Sequence, residues 1–312
     1  MIRVSIFLPA YKVAFLSEAI QSILNQTFSD FELLVVNDAS PEDIRGVVGR
    51  FNDPRITYEE NTENQGGKDL VAFWNQKIKR CTGEFLVIAS DDDVYAPAYL
   101  QEMLRLTEEY PACDLFHCRI QYVDNGGNIL QIAQPALNHE TQLDFIYQRL
   151  VWKRKQTLQE FLFRRSALMN KGGLVSFPLA WASDDATAFT MAEHGVAYSD
   201  RILFSLRMSG SNISSSSRYP AQKIEAMKRY GQWIQDFLSG VTSQTREEDF
   251  LKKEALRISK ADRYASYPQY LQSLGFPDYI KEVRYILRHH IFSWRAILLF
   301  SFRRIFLRKS LR

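Results

Sequence analysis

The chain reads as an α/β protein, with a Rossmann-like nucleotide-binding half, a mixed central sheet and a helical C-terminal extension. Three observations predict this. Short apolar runs bounded by turn residues, Val4–Leu8, Phe31–Val36 and Glu84–Ala89, alternate with segments of helical spacing. The first run is ended by Pro9-Ala10-Tyr11 and the other two by the polar clusters Asn37-Asp38 and Ser90-Asp91-Asp92-Asp93, and open α/β sheets bind ligands beyond the carboxyl ends of their strands. From Tyr219-Pro220 onward the pattern is helical, so the expected division is 1–218 and 219–312.

Taken in order, Val4–Leu8 is the first strand, and Leu16, Ala19, Ile20, Ile23 and Leu24 mark a helix that stops near Asn25-Gln26-Thr27. Phe31–Val36 is the second strand, and a further helix and the short strand Arg55–Glu59 follow. Asn61–Lys68, with Gly66-Gly67, is expected as a polar loop passing close to a ligand, because glycine lacks Cβ. A helix then runs to Cys81, and Pro97 begins another after the acidic strand end. Cys113–Ile132 alternates in strand fashion around Asn125-Gly126-Gly127-Asn128, a hairpin signal. Leu158–Arg164 is strand-like, Arg165–Lys171 a short helix, Trp181 to Gly195 a helix with its start, and Val196–Arg207 a late strand.

Three consecutive carboxylates at the end of a buried strand raise one another's pKa unless a cation neutralises them. Hard oxygen ligands suit Mg²⁺ or Mn²⁺, whose shell is often completed by substrate phosphates. The triplet also fits an exposed turn capping the helix after Pro97, with Asp93 near the N-cap. No GxGxxG or GxxxxGK[ST] follows a strand, so phosphate binding rests on the cation and on loop groups such as Lys68.

With 46% hydrophobic and 24% charged residues, the composition is that of a globular protein and excludes disordered and fibrous classes. A net charge of +3 does not argue for nucleic acid. Cys81, Cys113 and Cys118 form no CxxC pair, which points to a reducing compartment and no structural zinc. The N-terminal apolar run is too short for a signal sequence, and no spanning-length apolar stretch occurs, so a cytoplasmic location is expected.

The blocks Val4–Tyr11, Ala19–Phe28, Phe31–Ser40 and Thr82–Phe85 into Ser90–Pro97 together resemble inverting glycosyltransferases of the family 2 type, with the GT-A fold. The resemblance implies that Pro9, Ala10, Tyr11 and Asp38 sit at the nucleoside, with Asp38 accepting from a base N–H. Asp92 resembles the metal-binding member of a DxD-type motif, with Asp93 beside it, and Asp91 the neighbour contacting ribose or donor sugar. Lys68 is a further base or phosphate contact, and Mn²⁺ or Mg²⁺ the implied cofactor. Asp38 also fits a turn-forming residue before Ser40-Pro41, and Tyr11 a packing role. The chain departs from the family's usual pattern at Asn37 and Ser90, where acids are common, and at Ser209, where histidine is common.

Asp184-Asp185 resembles the family's acidic pair, which makes Asp185 the candidate base on the acceptor hydroxyl and places Asp184 and Trp181 at the acceptor or donor sugar. Without the resemblance the pair reads as helix N-terminal charge, and Trp181 as a core or rim residue. Arg207 fits a phosphate contact or an ordinary salt bridge. Ser214–Ser217 is expected as a loop closing over the donor.

Arg284–Arg312 holds eight Lys or Arg and no Asp or Glu, interleaved with aromatic and aliphatic residues, and reads as an arm lying on the inner face of the membrane. A partner helix in a homodimer and contact of the basic residues with nucleic acid, for which nothing else in the sequence speaks, are the other readings. The expected function is transfer from a nucleoside-diphosphate sugar, UDP-linked by analogy, to a glycan or lipid-linked glycan in cell-surface polysaccharide synthesis. The alternative is a non-catalytic sugar-nucleotide or glycan-binding protein at the membrane surface.

Overall fold

In the computed structural model, which describes residues 2–209, 220–262 and 275–288, a ten-stranded sheet carries the site. The first half alternates strand and helix: β1 (Val4–Ala10), α1 (Leu16–Leu24), β2 (Phe31–Asn37), α2 (Ile44–Val48), β3 (Ile56–Glu60), α3 (Gly66–Lys77) and β4 (Phe85–Ile88). β5 (Val94–Tyr95), α4 (Tyr99–Glu109), β6 (Leu115–Val123), β7 (Ile129–Ile132), β8 (His139–Glu140) and α5 (Gln142–Leu150) follow. Then come β9 (Leu162–Arg164), α6 (Arg165–Asn170), α7 (Ser183–Met191) and β10 (Val196–Arg207), and after them α8 (Pro220–Gly240), α9 (Arg246–Asp262) and α10 (Phe276–Arg288).

The path through the sheet is β3-β2-β1-β4-β9-β6-β10-β5, with β7 on β6 and β8 on β10. β1, β2, β3 and β4 pair in parallel. β9 is antiparallel to both β4 and β6, which leaves β4, β6 and β10 running the same way. Their carboxyl ends therefore open on one side of the sheet, where binding crevices form.

Period-two alternation explains why β1 is buried on both faces. Val4, Ile6 and Leu8 join one apolar layer with α1 and α4, while Phe7 joins the other with Val71, Phe73, Phe145 and Phe189. Ile234 and Leu238 of α8 and Ala255 of α9 enter that second layer. Burying side chains of the size of Ile234 and Leu238 contributes about 1.5–3 kcal/mol each, enough to seat α8 against the sheet domain.

Two local expectations change. Gly66 and Gly67 open α3 instead of lying in a loop, because the carboxylate of Asp38 accepts from the backbone N–H groups of Gln65 (2.9 Å) and Gly66 (2.7 Å) and so caps the helix start. A Cβ at residue 66 would lie 2.9 Å from Asp38 Oδ2, so glycine is needed for that approach. The acid triplet does not cap the helix after Pro97. β5 intervenes and pairs antiparallel with β10, and α4 starts at Tyr99 behind Ala98.

The hairpin around Asn125–Asn128 is present as β6 and β7, with Asp124 Oδ1 accepting from the N–H groups of Gly126 and Asn128, both at 2.8 Å. No helix among the described residues is long and apolar enough to cross a membrane. Most of the basic arm, 289–312, and the segment Ser214–Ser217 lie outside the described residues.

Candidate active site

The loop after β4 carries the acid triplet, and the fold gives each acid a different environment. Asp91 is buried, and its Oδ2 accepts from the backbone N–H groups of Tyr11 and Lys12, both at 2.8 Å, which ties the end of β1 to the end of β4. Burial pushes its carboxyl up while these two bonds pull it back. Asp93 is turned inward: Oδ1 accepts from Arg207 N at 2.8 Å and Oδ2 from the Ser90 hydroxyl. Burial, followed by the charge of Asp92, pushes Asp93 up to about 7. Asp92 is half-buried, and its Oδ2 accepts from the Ser209 hydroxyl at 3.2 Å.

The main chain of the triplet is fixed by Arg207, one of the largest fully buried side chains. Its guanidinium donates to the carbonyls of Asp92 (2.9 Å), Asp124 (3.2 Å) and Asn125 (3.1 Å), pairs with Glu18 Oε2 at 2.6 Å, and lies 4.2 Å over the Phe15 ring. Arg207 thus takes the salt-bridge reading, and the phosphate reading does not hold for a buried side chain already so engaged.

Among the described residues no three His, Cys, Asp or Glu side chains converge as a ready-made metal cage. Asp92, a hard oxygen ligand beside a hydroxyl, fits a Mg²⁺ or Mn²⁺ ion that takes one protein carboxylate and its remaining ligands from phosphate and water. Asp93 lines the same cavity, with one oxygen accepting from Arg207 N and the other from the Ser90 hydroxyl.

At the first two strand ends, Pro9 and Ala10 lie within β1, and Tyr11, 42% exposed, accepts from the Ser40 hydroxyl through its carbonyl at 2.6 Å. The turn before Pro41 is made by Asn37, whose Oδ1 accepts from Ser40 N at 2.9 Å. Asp38 faces the other way, accepting from Asn61 Nδ2 at 2.7 Å as well as from the start of α3. Lys68 stands apart from the triplet, exposed and paired with Glu63 at 2.8 Å.

α7 brings the acidic pair to the same cavity. Its approach is strained: Leu179, Ala180 and Ala182 have φ of 60°, 54° and 60°, and left-handed backbone at non-glycine residues costs about 1–3 kcal/mol each. Asp185 is held by Arg149, whose Nε donates to both carboxylate oxygens (2.8 and 3.0 Å), and by Gln156 Nε2 at 2.8 Å. Asp184 lacks such a clamp. Burial, then the neighbouring Asp185 charge, lifts it to about 6, against the pull of Arg149. Trp181 sits at the same rim with Lys223 Nζ 4.8 Å from its ring centre.

A cavity of about 670 Å³ is lined by Asp91, Asp92, Asp93, Trp181, Asp184 and Asp185 together with Lys12, Arg149 and Gln156. The structure therefore collects both acid clusters around one space and leaves Pro9, Ala10, Tyr11, Asp38 and Lys68 outside its lining. Lys12, Arg149 and Gln156 went unnoticed in the sequence. Lys12 was legible as a basic residue next to a strand end, whereas Arg149 and Gln156 carry no local signal. A second cavity of about 450 Å³, behind segment 151–157, is lined by His117, Glu140, Arg154 and Tyr198 and shares none of these acids.

The sequence profile of the family described as Glycosyl transferase family 2 matches residues 5–172, more than half of the chain. The chain belongs to glycosyl transferase family 2. Its fold is the GT-A fold.

Relatives differ in how much they share. WcaA of Escherichia coli K12, named a putative colanic acid biosynthesis glycosyl transferase, is 36% identical over 104 residues, 32% of this chain and 36% of that protein. The glycosyltransferase MJ1057 of Methanocaldococcus jannaschii is 29% identical over 39% of this chain and 42% of its own length. The match thus spans less than half of either protein. RT0329 of Rickettsia typhi is 25% identical over 92% of both chains. Among solved structures, Staphylococcus aureus TarS 1-349 in complex with UDP-GlcNAc superimposes with a TM-score of 0.65 at 21% identity, covering 89% of this chain and 81% of that one. The Pyrobaculum calidifontis mannosyltransferase PcManGT, in complex with GDP-Man and Mn²⁺, gives a TM-score of 0.53 at 17% identity over 97% of this chain and 87% of its own.

Proposed function

We propose that the chain moves a sugar from a nucleoside-diphosphate sugar, UDP-linked in the first instance, to a hydroxyl of a glycan or lipid-linked glycan, with inversion, in the building of a cell-surface polysaccharide. The observation that carries the reading is the single cavity lined by both the strand-end acids and the α7 acids. Binding of UDP-GlcNAc by TarS and the colanic acid assignment of WcaA support the donor and the pathway class.

In the proposed reaction the acceptor oxygen forms a bond to the anomeric carbon as the bond to the diphosphate breaks, and the electron pair leaves with the nucleoside diphosphate. The acceptor proton passes to Asp185, which Arg149 and Gln156 orient while leaving an Oδ2 lone pair open. A divalent cation held at Asp92 would neutralise charge on the leaving group. Pro9, Ala10, Tyr11, Asp38 and Asp91 remain the proposed nucleoside side, with Lys12 in place of Lys68 nearest the phosphates. Peripheral membrane contact through 284–312 belongs to the same proposal.

One observation favours a second assignment of the base: Asp184, lifted to about 6, has a proton affinity suited to a base near neutral pH. Separate Asp184→Asn and Asp185→Asn variants decide between them by which loses transfer. The first test is binding of a nucleoside diphosphate panel, with and without Mn²⁺, to wild type and to Asp92→Ala. Metal-dependent tightening for one nucleotide, lost in the variant, is the expected result. No binding under any condition would overturn the donor reading.

A further inference from the structure

We propose that the acceptor side of the cavity is built by α8, and that the Tyr230 hydroxyl is the hydrogen-bond donor that orients the acceptor sugar. This rests on the transferase reading above and names a residue beyond the matched segment 5–172.

α8 contributes Met227, Tyr230, Gly231 and Ile234 to the cavity lining. These positions recur at three- and four-residue intervals, so one helical face is turned to the site. Tyr230 is locked by its ring, edge-on to Phe177 (5.9 Å, 87°) and stacked with Trp233 (6.1 Å, 21°). The direction of its hydroxyl is therefore set before any ligand arrives.

That hydroxyl is not among the fully buried polar atoms left without a partner, and a tyrosine packed by its ring normally finds a partner for its O–H, which a ligand in the cavity that Tyr230 lines would supply. Tyr230 packs in one cluster with Phe177, Trp181 and Ala186 of α7, and the charges that act on its hydroxyl are those of Asp185, Arg149 and Asp184. A base must touch the acceptor hydroxyl, so a group beside the base faces the acceptor and not the nucleotide. Burial and the Asp185 charge keep the phenol protonated well above its ordinary range, so it serves as a permanent donor and not as a second base.

The test uses the full chain, the donor selected by the nucleotide panel, and octyl β-glycosides of common hexoses as acceptor probes. Tyr230→Phe removes one oxygen and keeps the ring contacts. The expected result is a rise of about three- to tenfold in acceptor KM, the size of one lost hydrogen bond. Donor KM, thermal stability and hydrolysis of the donor by water stay within twofold of wild type. An unchanged acceptor KM, or an equal rise in donor KM, overturns the inference while leaving the transferase reading intact. Absence of both transfer and hydrolysis in the wild type overturns the two together.

Discussion

Replacing Asp184 by asparagine should stabilise the fold at neutral pH, because burial and Asp185 lift this carboxyl from 3.8 to about 6. A group whose folded-state pKa lies above its unfolded value costs the fold nothing below the unfolded value. The penalty grows as pH rises through the window between the two, and above it both states are ionised and the penalty is complete. A lift of this size corresponds to about 3 kcal/mol, and the cavity's access to water reduces it to roughly 1–3 kcal/mol. For a chain of this length 1 kcal/mol moves Tm by about 1.5 °C, so Asp184→Asn should melt roughly 2–5 °C higher at pH 7.5 in metal-free buffer. The gain should shrink as pH falls through 6 and vanish near pH 4. A scanning-calorimetry series across that range checks it. A lower Tm for the variant at pH 7.5, or a difference that does not change with pH, would refute the reasoning.

Three further outcomes follow from the same contacts. Asp185→Asn should abolish transfer while leaving nucleotide affinity within twofold, measured by calorimetric titration beside initial rates. Arg207→Met should cost roughly 3–5 kcal/mol in denaturant unfolding, since it removes a buried guanidinium that donates to three partly buried carbonyls and pairs with Glu18; Glu18→Gln, on a half-exposed partner, should cost less than about 1 kcal/mol. Gly83→Ala should cost about 1–3 kcal/mol, because its Cβ would meet Ser5 N of β1 at 2.5 Å.

The strands were legible because their apolar runs are buried on both faces, as Val4–Leu8 and Phe85–Ile88 are. The late strand Val196–Arg207 and the hairpin were legible from alternation and from Asn125-Gly126-Gly127-Asn128. Helix starts were less so. Gly66 reads as loop until a carboxylate 28 positions earlier caps it, and no local pattern announces that. The environment of each acid was hidden for the same reason. Ser90-Asp91-Asp92-Asp93 is uniform in sequence, yet backbone donors from residues 11, 12 and 207 decide which oxygens are occupied. Arg149 and Gln156 reach Asp185 across 36 and 29 positions, a distance that only the packing of α5 and α7 closes.

The charges around the cavity lead to a last prediction about metal. Asp91, Asp92, Asp93, Asp184 and Asp185 line it against Lys12 and Arg149, five formal negative charges against two positive. Three basic residues that the sequence put forward or left unread are committed to the protein's own acids, Arg207 to Glu18, Arg149 to Asp185 and Lys68 to Glu63. A nucleoside diphosphate brings two or more further negative charges into this space, where low dielectric strengthens repulsion. The nucleoside alone brings none. Mn²⁺ should therefore tighten binding of UDP by tenfold or more and leave uridine affinity unchanged, and Asp92→Ala should erase the difference between the two ligands. Equal metal responses for uridine and UDP would place the cation away from the phosphates. UDP binding at full strength in a chelator would mean that Lys12 and the main chain suffice to hold the diphosphate against five carboxylates.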